Sequence, residues 1–298
     1  HVLFNVLGTV AALVLFRPLL DFIAFITPGA NISIRIAMLN TVFKVVTTLI
    51  LLPLTSYLIR LSEFMIKNVE CGARKYYRLD FIEGSKETAA MHIVRVEKEI
   101  ADMTDVVTDM FDRLQAGFSE RTPDFIEKHS EALVDAENYC DQMHEQLVRY
   151  IINCEHLPIT ESQRANLSVM IQIIDDLEAM SDECFSSGML IQRSIEKKMK
   201  FPQEDFERLI PYVELARQFL QFIRININRH LTKEKLQLAR SLEDQIDALR
   251  KNLKKIARKR LENGADVKSE LLYLDLVRQI EKIGDHAFSI SEMLAQTM

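Results

Sequence analysis

The chain has 298 residues and a net charge of −6, and this length is enough for two domains. The charge is unevenly divided, because residues 1–84 carry eight Lys and Arg against five Asp and Glu, whereas residues 85–298 carry 29 against 38. An acidic region of this size does not suit nucleic acid, whose phosphates need a basic face. The sequence has no nucleotide-binding glycine loop and no nucleophile–base motif, so we do not expect an enzyme.

Two apolar stretches open the chain, over residues 2–26 and 34–59, and a Pro-Gly turn separates them. Each is about the 20 residues that a helix needs to cross a bilayer. The turn has no Lys or Arg, whereas several basic residues follow the second stretch, so the positive-inside tendency predicts that the C-terminal part is cytoplasmic. We therefore expect two transmembrane helices within residues 1–59, in contact with membrane lipid. The alternative is a pair of buried helices in a soluble protein.

Polar residues recur inside the first stretch, where His1, Asn5 and Thr9 have the spacing of one helix face. In a membrane such residues line a path or join neighbouring helices. The run His-Val-Leu-Phe-Asn-Val-Leu-Gly-Thr resembles the last part of bacterial sodium/phosphate cotransporters of the type II class. The second stretch has Asn40 and Lys44 where that family repeats its His-x-x-Phe-Asn pattern.

This resemblance implies a multi-pass protein of the cell (inner) membrane that carries inorganic phosphate, with sodium as the coupling ion. His1, Asn5 and Thr9 are then candidates for the transport path. The family's Gln-Ser-Ser-rich motifs, which are associated with binding sodium and phosphate, would lie upstream of His1. We therefore expect the chain to be the C-terminal fragment of a longer carrier.

The rest of the chain is predicted to be helical. A basic amphipathic stretch over residues 60–85 predicts a juxtamembrane linker helix. Caps, prolines and apolar periodicity then predict six long helices, with no strand-like alternation. These helices span 86–118, 123–154, 161–199, 203–229, 233–262 and 267–297. The predicted fold is all-α, with two transmembrane helices followed by a tandem pair of three-helix bundles, over about 86–200 and 203–298.

Four pairs of acids lie one helical turn apart, at matching places in the two predicted bundles. The pairs are Glu137 with Asp141 and Glu178 with Asp182 in the first bundle, and Glu243 with Asp247 and Glu281 with Asp285 in the second. Like charges at this spacing repel each other, and a hard cation takes several carboxylate oxygens. The pairs are therefore either metal ligands or parts of a solvated acidic face. Five histidines outside these motifs are expected at the surface: His92, His129, His144, His156 and His230.

The segment Glu-Lys-Ile-Gly-Asp-His-Ala at residues 281–287 resembles the third-helix motif of PhoU proteins, which regulate phosphate uptake. The resemblance covers roughly residues 86–298 and is closer in the second repeat than in the first. It implies a tandem pair of three-helix bundles. It also implies that the Glu-x-x-x-Asp motifs bind metal ions, such as iron, zinc or a similar divalent ion.

The two resemblances together predict the C-terminal part of a sodium-dependent phosphate transporter whose cytoplasmic PhoU-like domain regulates transport. The alternative is a membrane-tethered PhoU-like adaptor that binds metal and acts in phosphate signalling without transport. A homodimer is compatible with either function.

Overall fold

The computed structural model describes residues 16–29, 31–32, 35, 38–39, 41–42, 76–81, 88–119, 121–199, 201 and 203–296. The chain divides into two compact units, His1–Arg74 and Lys75–Met298. In the first unit, helix α1 spans Phe16–Ile26 and is followed by a turn with Gly29 at a φ of 74°. Among the described residues, no helix combines the length and apolarity that crossing a bilayer requires. Most of the two predicted spans and most of the predicted linker lie outside the described residues.

The second unit consists of helices, which confirms the all-α prediction for this part of the chain. The helices are α2 (Ala89–Ser119), the single turn α3 (Pro123–Phe125), α4 (Glu131–Cys154), α5 (Glu161–Glu196), α6 (Gln203–Asn226), α7 (Lys233–Glu262) and α8 (Val267–Gln296). A π-helical segment, Ile126–Ser130, connects α3 to α4.

Local sequence explains where several of these helices begin and end. At the start of α5, Gln163 N donates to Thr160 Oγ1 and Thr160 N donates to Gln163 Oε1, so each side chain caps the other's backbone. The hydroxyl of Thr232 accepts from the backbone of Lys235 and caps α7 in the same way. Helix α7 ends before Gly264, whose φ of 85° is a conformation that residues with a Cβ rarely adopt.

The long helices form two three-helix bundles that share one core. Helices α2, α4 and α5 pack together, as do α6, α7 and α8, and α5 packs on α8 while α2 packs on α6. Each helix buries residues three or four apart, such as Leu177, Met180 and Cys184 on α5. Full burial of one such apolar side chain contributes about 1.5–3 kcal/mol, so the shared core is the main source of stability.

Two ion pairs show the relative direction of α2 and α6. Arg224 Nε lies 2.7 Å from Asp105 Oδ1, and Arg217 Nε lies 2.7 Å from Asp112 Oδ1. The residue numbers rise along α2 while they fall along α6, so the two helices are antiparallel. The same relation holds between α5 and α8, where Asp176 contacts His286 and Glu183 contacts Lys282.

Residues 76–81 form a strap on the first bundle and have no regular secondary structure, although they lie within the predicted linker helix. Tyr77 N donates to Gln142 Oε1 at 3.2 Å, and Tyr77 Oη donates to Glu99 Oε2 at 2.9 Å. Phe81 stacks on His92 with ring centroids 4.9 Å apart. These contacts hold residues 76–81 against α2 and α4. The surface prediction for His92 is wrong, because its ring is buried and its Nδ1 lies 2.6 Å from Tyr150 Oη.

Candidate metal centre

The structure brings the acids of the first bundle together between α4 and α5. We call Glu137, Asp141, Glu178 and Asp182 the first cluster. Carboxylate oxygens of Glu137, Asp141 and Asp182 all lie within 4.8 Å of one another. The two helices place them there because residues on the adjoining stripe, such as Cys140, are fully buried in the core. The acids therefore lie beside the buried stripe and face each other across the helix pair, with Asp141 and Asp182 exposed to solvent.

Charge in the first cluster is not balanced by nearby basic residues. Burial raises the pKa of Glu137, and the neighbouring carboxylates of Asp141, Asp182 and Glu178 raise it further. Burial also raises the pKa of Asp141 and the pKa of Glu178, and the charge of Asp182 is the next cause that raises both. Among the described residues, no Lys or Arg forms an ion pair with any of these four acids. The cluster therefore favours a proton or another cation.

A histidine provides partial compensation at the edge of this cluster. His144 follows Asp141 by one turn, and its Nε2 lies 2.8 Å from Asp175 Oδ1. Its charge acts to lower the pKa of Asp141 and that of Glu178, against the effect of burial. His144 is therefore a polar neighbour of the first cluster, and the prediction of a plain surface residue missed this role.

The acids of the second bundle lie at the equivalent place between α7 and α8. We call Glu243, Asp247, Glu281 and Asp285 the second cluster. Arg250 reaches across it, with Nη2 lying 2.7 Å from Asp247 Oδ1 and Nη1 paired with the Glu281 carboxylate. Two lysines add to this arrangement, since Lys251 Nζ lies 3.0 Å from Asp247 Oδ2 and Lys254 Nζ lies 3.7 Å from Glu281 Oε2.

These basic residues change the electrostatics of the second cluster. The hydrogen bond from Lys251, together with Arg250, holds the pKa of Asp247 below its usual range. Burial still raises the pKa of Glu243, with Asp247 as the next cause. Burial also raises the pKa of Asp285, although Arg250 opposes that effect. The pairing of Asp247 and Glu281 with Arg250 was not predicted, and the only sequence signal was Arg250 one turn after Asp247.

The two clusters differ in how well they suit a metal ion. In the first cluster, several carboxylates from two helices converge without a basic partner among the described residues, which is a donor set for a hard divalent cation such as Mg²⁺, Mn²⁺ or Fe²⁺. Zinc usually takes His or Cys ligands and fits this set less well. In the second cluster, basic side chains already contact Asp247 and Glu281. The transport-path candidates His1, Asn5 and Thr9 lie outside the described residues.

Comparisons with known proteins support the fold. The sequence model of the PhoU domain family matches residues 223–294. A comparison with curated proteins finds no match. In structure, the chain is similar to PhoU from Pseudomonas aeruginosa, with a TM-score of 0.63 and 13% identity over 70% of this chain and 97% of that one.

A second solved structure gives the same result. The phosphate transport system regulatory protein PhoU from Streptococcus pneumoniae matches with a TM-score of 0.60 and 15% identity, over 70% of this chain and 95% of that one. At these identities the likeness establishes the fold and not the activity. The family match in the second bundle and the fold shared across both bundles therefore identify a PhoU-like domain in this chain.

Proposed function

We propose that the chain is the C-terminal part of a sodium-dependent phosphate transporter, and that its PhoU-like domain regulates transport from the cytoplasm. The observation that carries this proposal is the PhoU-like fold of Lys75–Met298 behind an apolar N-terminal sequence. One similar structure is titled a phosphate transport system regulatory protein, which supports a role in phosphate regulation. The transport role itself rests on the resemblance of residues 1–59 to sodium/phosphate cotransporters.

We further propose that the first cluster binds a divalent metal ion and that this ion stabilises the first bundle. The unpaired carboxylates of α4 and α5 repel one another, because their charges lie close together at the border of the core. A bound cation would neutralise this repulsion and join the two helices. Metal binding would thus stiffen the helix pair whose outer face carries the contacts of Tyr77 with Gln142 and Tyr139.

Phosphate uptake tests the transport role. Cells that lack their own phosphate carriers would express the full-length protein containing this chain, and uptake of labelled phosphate would be compared in sodium and choline buffers. We expect uptake to require sodium, and we expect deletion of Lys75–Met298 to change the rate but not the sodium requirement. Uptake that is indifferent to sodium would refute the carrier function. An unchanged rate after the deletion would refute regulation by the PhoU-like domain.

Metal analysis tests the first cluster independently of transport. The purified full chain would be dialysed against Mn²⁺, and bound metal would be measured by mass spectrometry. We expect the double variant Asp141→Asn with Asp182→Asn to lose about tenfold or more in affinity. The matched control replaces Asp109 and Asp124, two exposed acids outside the clusters, with Asn and should bind like the wild type. Equal binding by all three proteins would assign the first cluster to the solvated surface.

The sequence also supports a second function, a membrane-tethered PhoU-like adaptor that binds metal and a signalling partner without transport. Asn40 and Lys44 favour this alternative, because they depart from the cotransporter pattern in the second apolar stretch. The uptake experiment separates the two functions. An adaptor would leave phosphate uptake independent of sodium, while the metal experiment would still show binding at the first cluster.

A further inference from the structure

The two acid clusters occupy equivalent places but differ in charge balance. The first cluster has no ion pair to Lys or Arg within the described part of the chain. In the second cluster a single guanidinium, that of Arg250, contacts Asp247 and Glu281. One cluster is therefore open to an external cation, whereas a side chain of the protein already supplies the cation of the other.

The geometry of Arg250 is that of a bridge between two helices. Its side chain leaves α7 one turn after Asp247 and reaches Glu281 on α8. The side chains of Arg250 and Glu281 are only 20% and 13% exposed, so water screens their interaction weakly. The guanidinium thus joins Asp247 on α7 to Glu281 on α8. A metal ion held between Asp141 and Asp182 would make the same connection in the first bundle.

The internal repeat shows which residues cause the difference. At the offset of 106 residues that relates α4 to α7, Arg250 corresponds to His144 and Lys254 corresponds to Val148. His144 does not bridge the first cluster, since its Nε2 contacts Asp175 at 2.8 Å. Lys254, in contrast, lies 3.7 Å from Glu281 and adds a second positive charge. Lys251, which lies 3.0 Å from Asp247, corresponds to Glu145. Three side chains therefore distinguish a closed cluster from an open one.

We propose that Arg250 is the resident cation of the second cluster, and that divalent metal binds to the first cluster alone. A guanidinium fixed between carboxylates occupies their oxygen atoms, and its positive charge repels a second cation. Metal binding by the first cluster rests on the proposed function. The inference that the second cluster binds no metal rests on the contacts of Arg250 with Asp247 and Glu281. The second bundle then keeps its shape at any metal concentration, and only the first bundle responds to metal.

The experiment converts the second cluster to the residues of the first. The background is the full chain with Asp141→Asn and Asp182→Asn, which disables the first cluster, and the probe is Mn²⁺. We expect this background to bind little Mn²⁺. We expect the further changes Arg250→His, Lys251→Glu and Lys254→Val to raise its Mn²⁺ affinity about tenfold or more. The matched control is Arg250→Lys, which keeps the positive charge and should gain no binding.

Three outcomes would decide the proposal. Tight Mn²⁺ binding by the background, lost on Asp247→Asn with Glu281→Gln, would overturn it, because the second cluster would then be open with Arg250 in place. A folded variant with Arg250→His, Lys251→Glu and Lys254→Val that gains no binding would also overturn it. If that variant unfolds without metal, its melting temperature is measured against Mn²⁺ concentration. A rise supports the proposal, and no rise overturns it.

The same measurements distinguish this proposal from the proposed metal site in the first bundle. A wild-type chain that binds no Mn²⁺ would refute metal binding by the first cluster. A gain of binding in the converted second cluster would still support the role of Arg250, because that gain is measured with the first cluster disabled.

Discussion

His286 Nδ1 lies 2.7 Å from Asp176 Oδ1 and so joins the third helices of the two bundles. Lys282 on α8 forms a second cross-bundle pair with Glu183 on α5. The hydrogen bond from His286 to Asp176 raises the pKa of the histidine above its ordinary value, and the charges of Asp176, Glu183 and Asp285 add to this effect. Contact between the two bundles therefore depends in part on an imidazole whose pKa is raised above its ordinary value.

We expect this pair to make stability depend on pH. Since the pKa of His286 is higher in the folded chain than in the unfolded chain, the pair stabilises fully below the ordinary histidine pKa. Its contribution is lost as pH rises through the raised value. His286→Gln should therefore lower the free energy of unfolding by about 1–2 kcal/mol in mild acid and by less in mild alkali. Urea denaturation of both proteins across this range measures the difference.

The control for this prediction is His156→Gln, which changes an exposed histidine in a turn and should have no pH-dependent effect. Taking the difference between wild type and variant removes the contribution of the first cluster, whereas a contribution from Asp285 stays, because the charge of His286 acts to lower its pKa against the effect of burial. A difference in stability that stays constant with pH would show that the His286 side chain acts by packing alone.

A second prediction concerns a close contact between α7 and α8 at Gly284. A Cβ added to Gly284 would lie 3.0 Å from Ile246 Cδ1 and 3.3 Å from its Cγ2. At the equivalent place in the first bundle, Ser181 faces Cys140, and both are fully buried. Gly284→Ser should therefore cost about 1–3 kcal/mol, because the added atoms crowd Ile246.

Making room for the added side chain tests this explanation. Ile246→Cys alone should cost about 1–2 kcal/mol through the cavity that it leaves. The double variant copies the first bundle and should be more stable than the sum of the single effects predicts. Urea unfolding of the four proteins gives this coupling energy. Strict additivity would show that Gly284 and Ile246 do not limit the helix approach.

Sequence periodicity predicted the positions of the acids but not their partners. On α8, Ile280, Ile283 and Ala287 are buried and Glu281 borders them, whereas Val267 and Leu271 of the same apolar repeat are exposed. The role of Arg250 could not be predicted, because its long side chain could extend into solvent or cross to α8. Which of these the side chain does depends on the distance between α7 and α8, and these helices pack closely where Gly284 meets Ile246.

The non-helical conformation of the strap could not be predicted, for a related reason. The linker prediction rested on the basic amphipathic pattern of residues 60–85, which fits a helix near a membrane. The partners that hold it in place lie far along the sequence, since Tyr77 hydrogen bonds with Gln142, 65 residues away. Local patterns cannot show such a groove, which exists only after α2 and α4 have packed together.

The strap gives a third prediction, about local opening. Phe81 packs on His92 and lies edge-on to Tyr150 with ring centroids 5.2 Å apart. Phe81→Ala should remove about 2 kcal/mol from the local stability of the strap, less than a fully buried phenylalanine would. Hydrogen exchange at residues 76–81 should then speed up, while exchange in α8 stays unchanged.

Arg78→Ala is the control, because this arginine is exposed and pairs only with Asp80 among the described residues. Unaltered exchange in the Phe81 variant would mean that the ring does not hold the strap.

The last prediction concerns a buried ion pair between the ends of α7 and α8. Arg260 Nε and Nη2 each donate to Glu270 at 2.8 Å, and Glu270 is only 3% exposed. Glu270→Gln should cost about 3–5 kcal/mol, because it removes the carboxylate charge that the guanidinium of Arg260 contacts. Replacing both residues, with Arg260→Met and Glu270→Leu, should restore much of that loss, since no charge then remains buried.

Urea unfolding midpoints would measure these effects, with Arg258→Met as the control for removing an exposed arginine from the same helix. The control should change stability by less than about 0.5 kcal/mol. If the double variant is no more stable than Glu270→Gln alone, the bidentate geometry itself stabilises the pair. In that case the contact between Arg260 and Glu270 contributes net stability at the junction of α7 and α8.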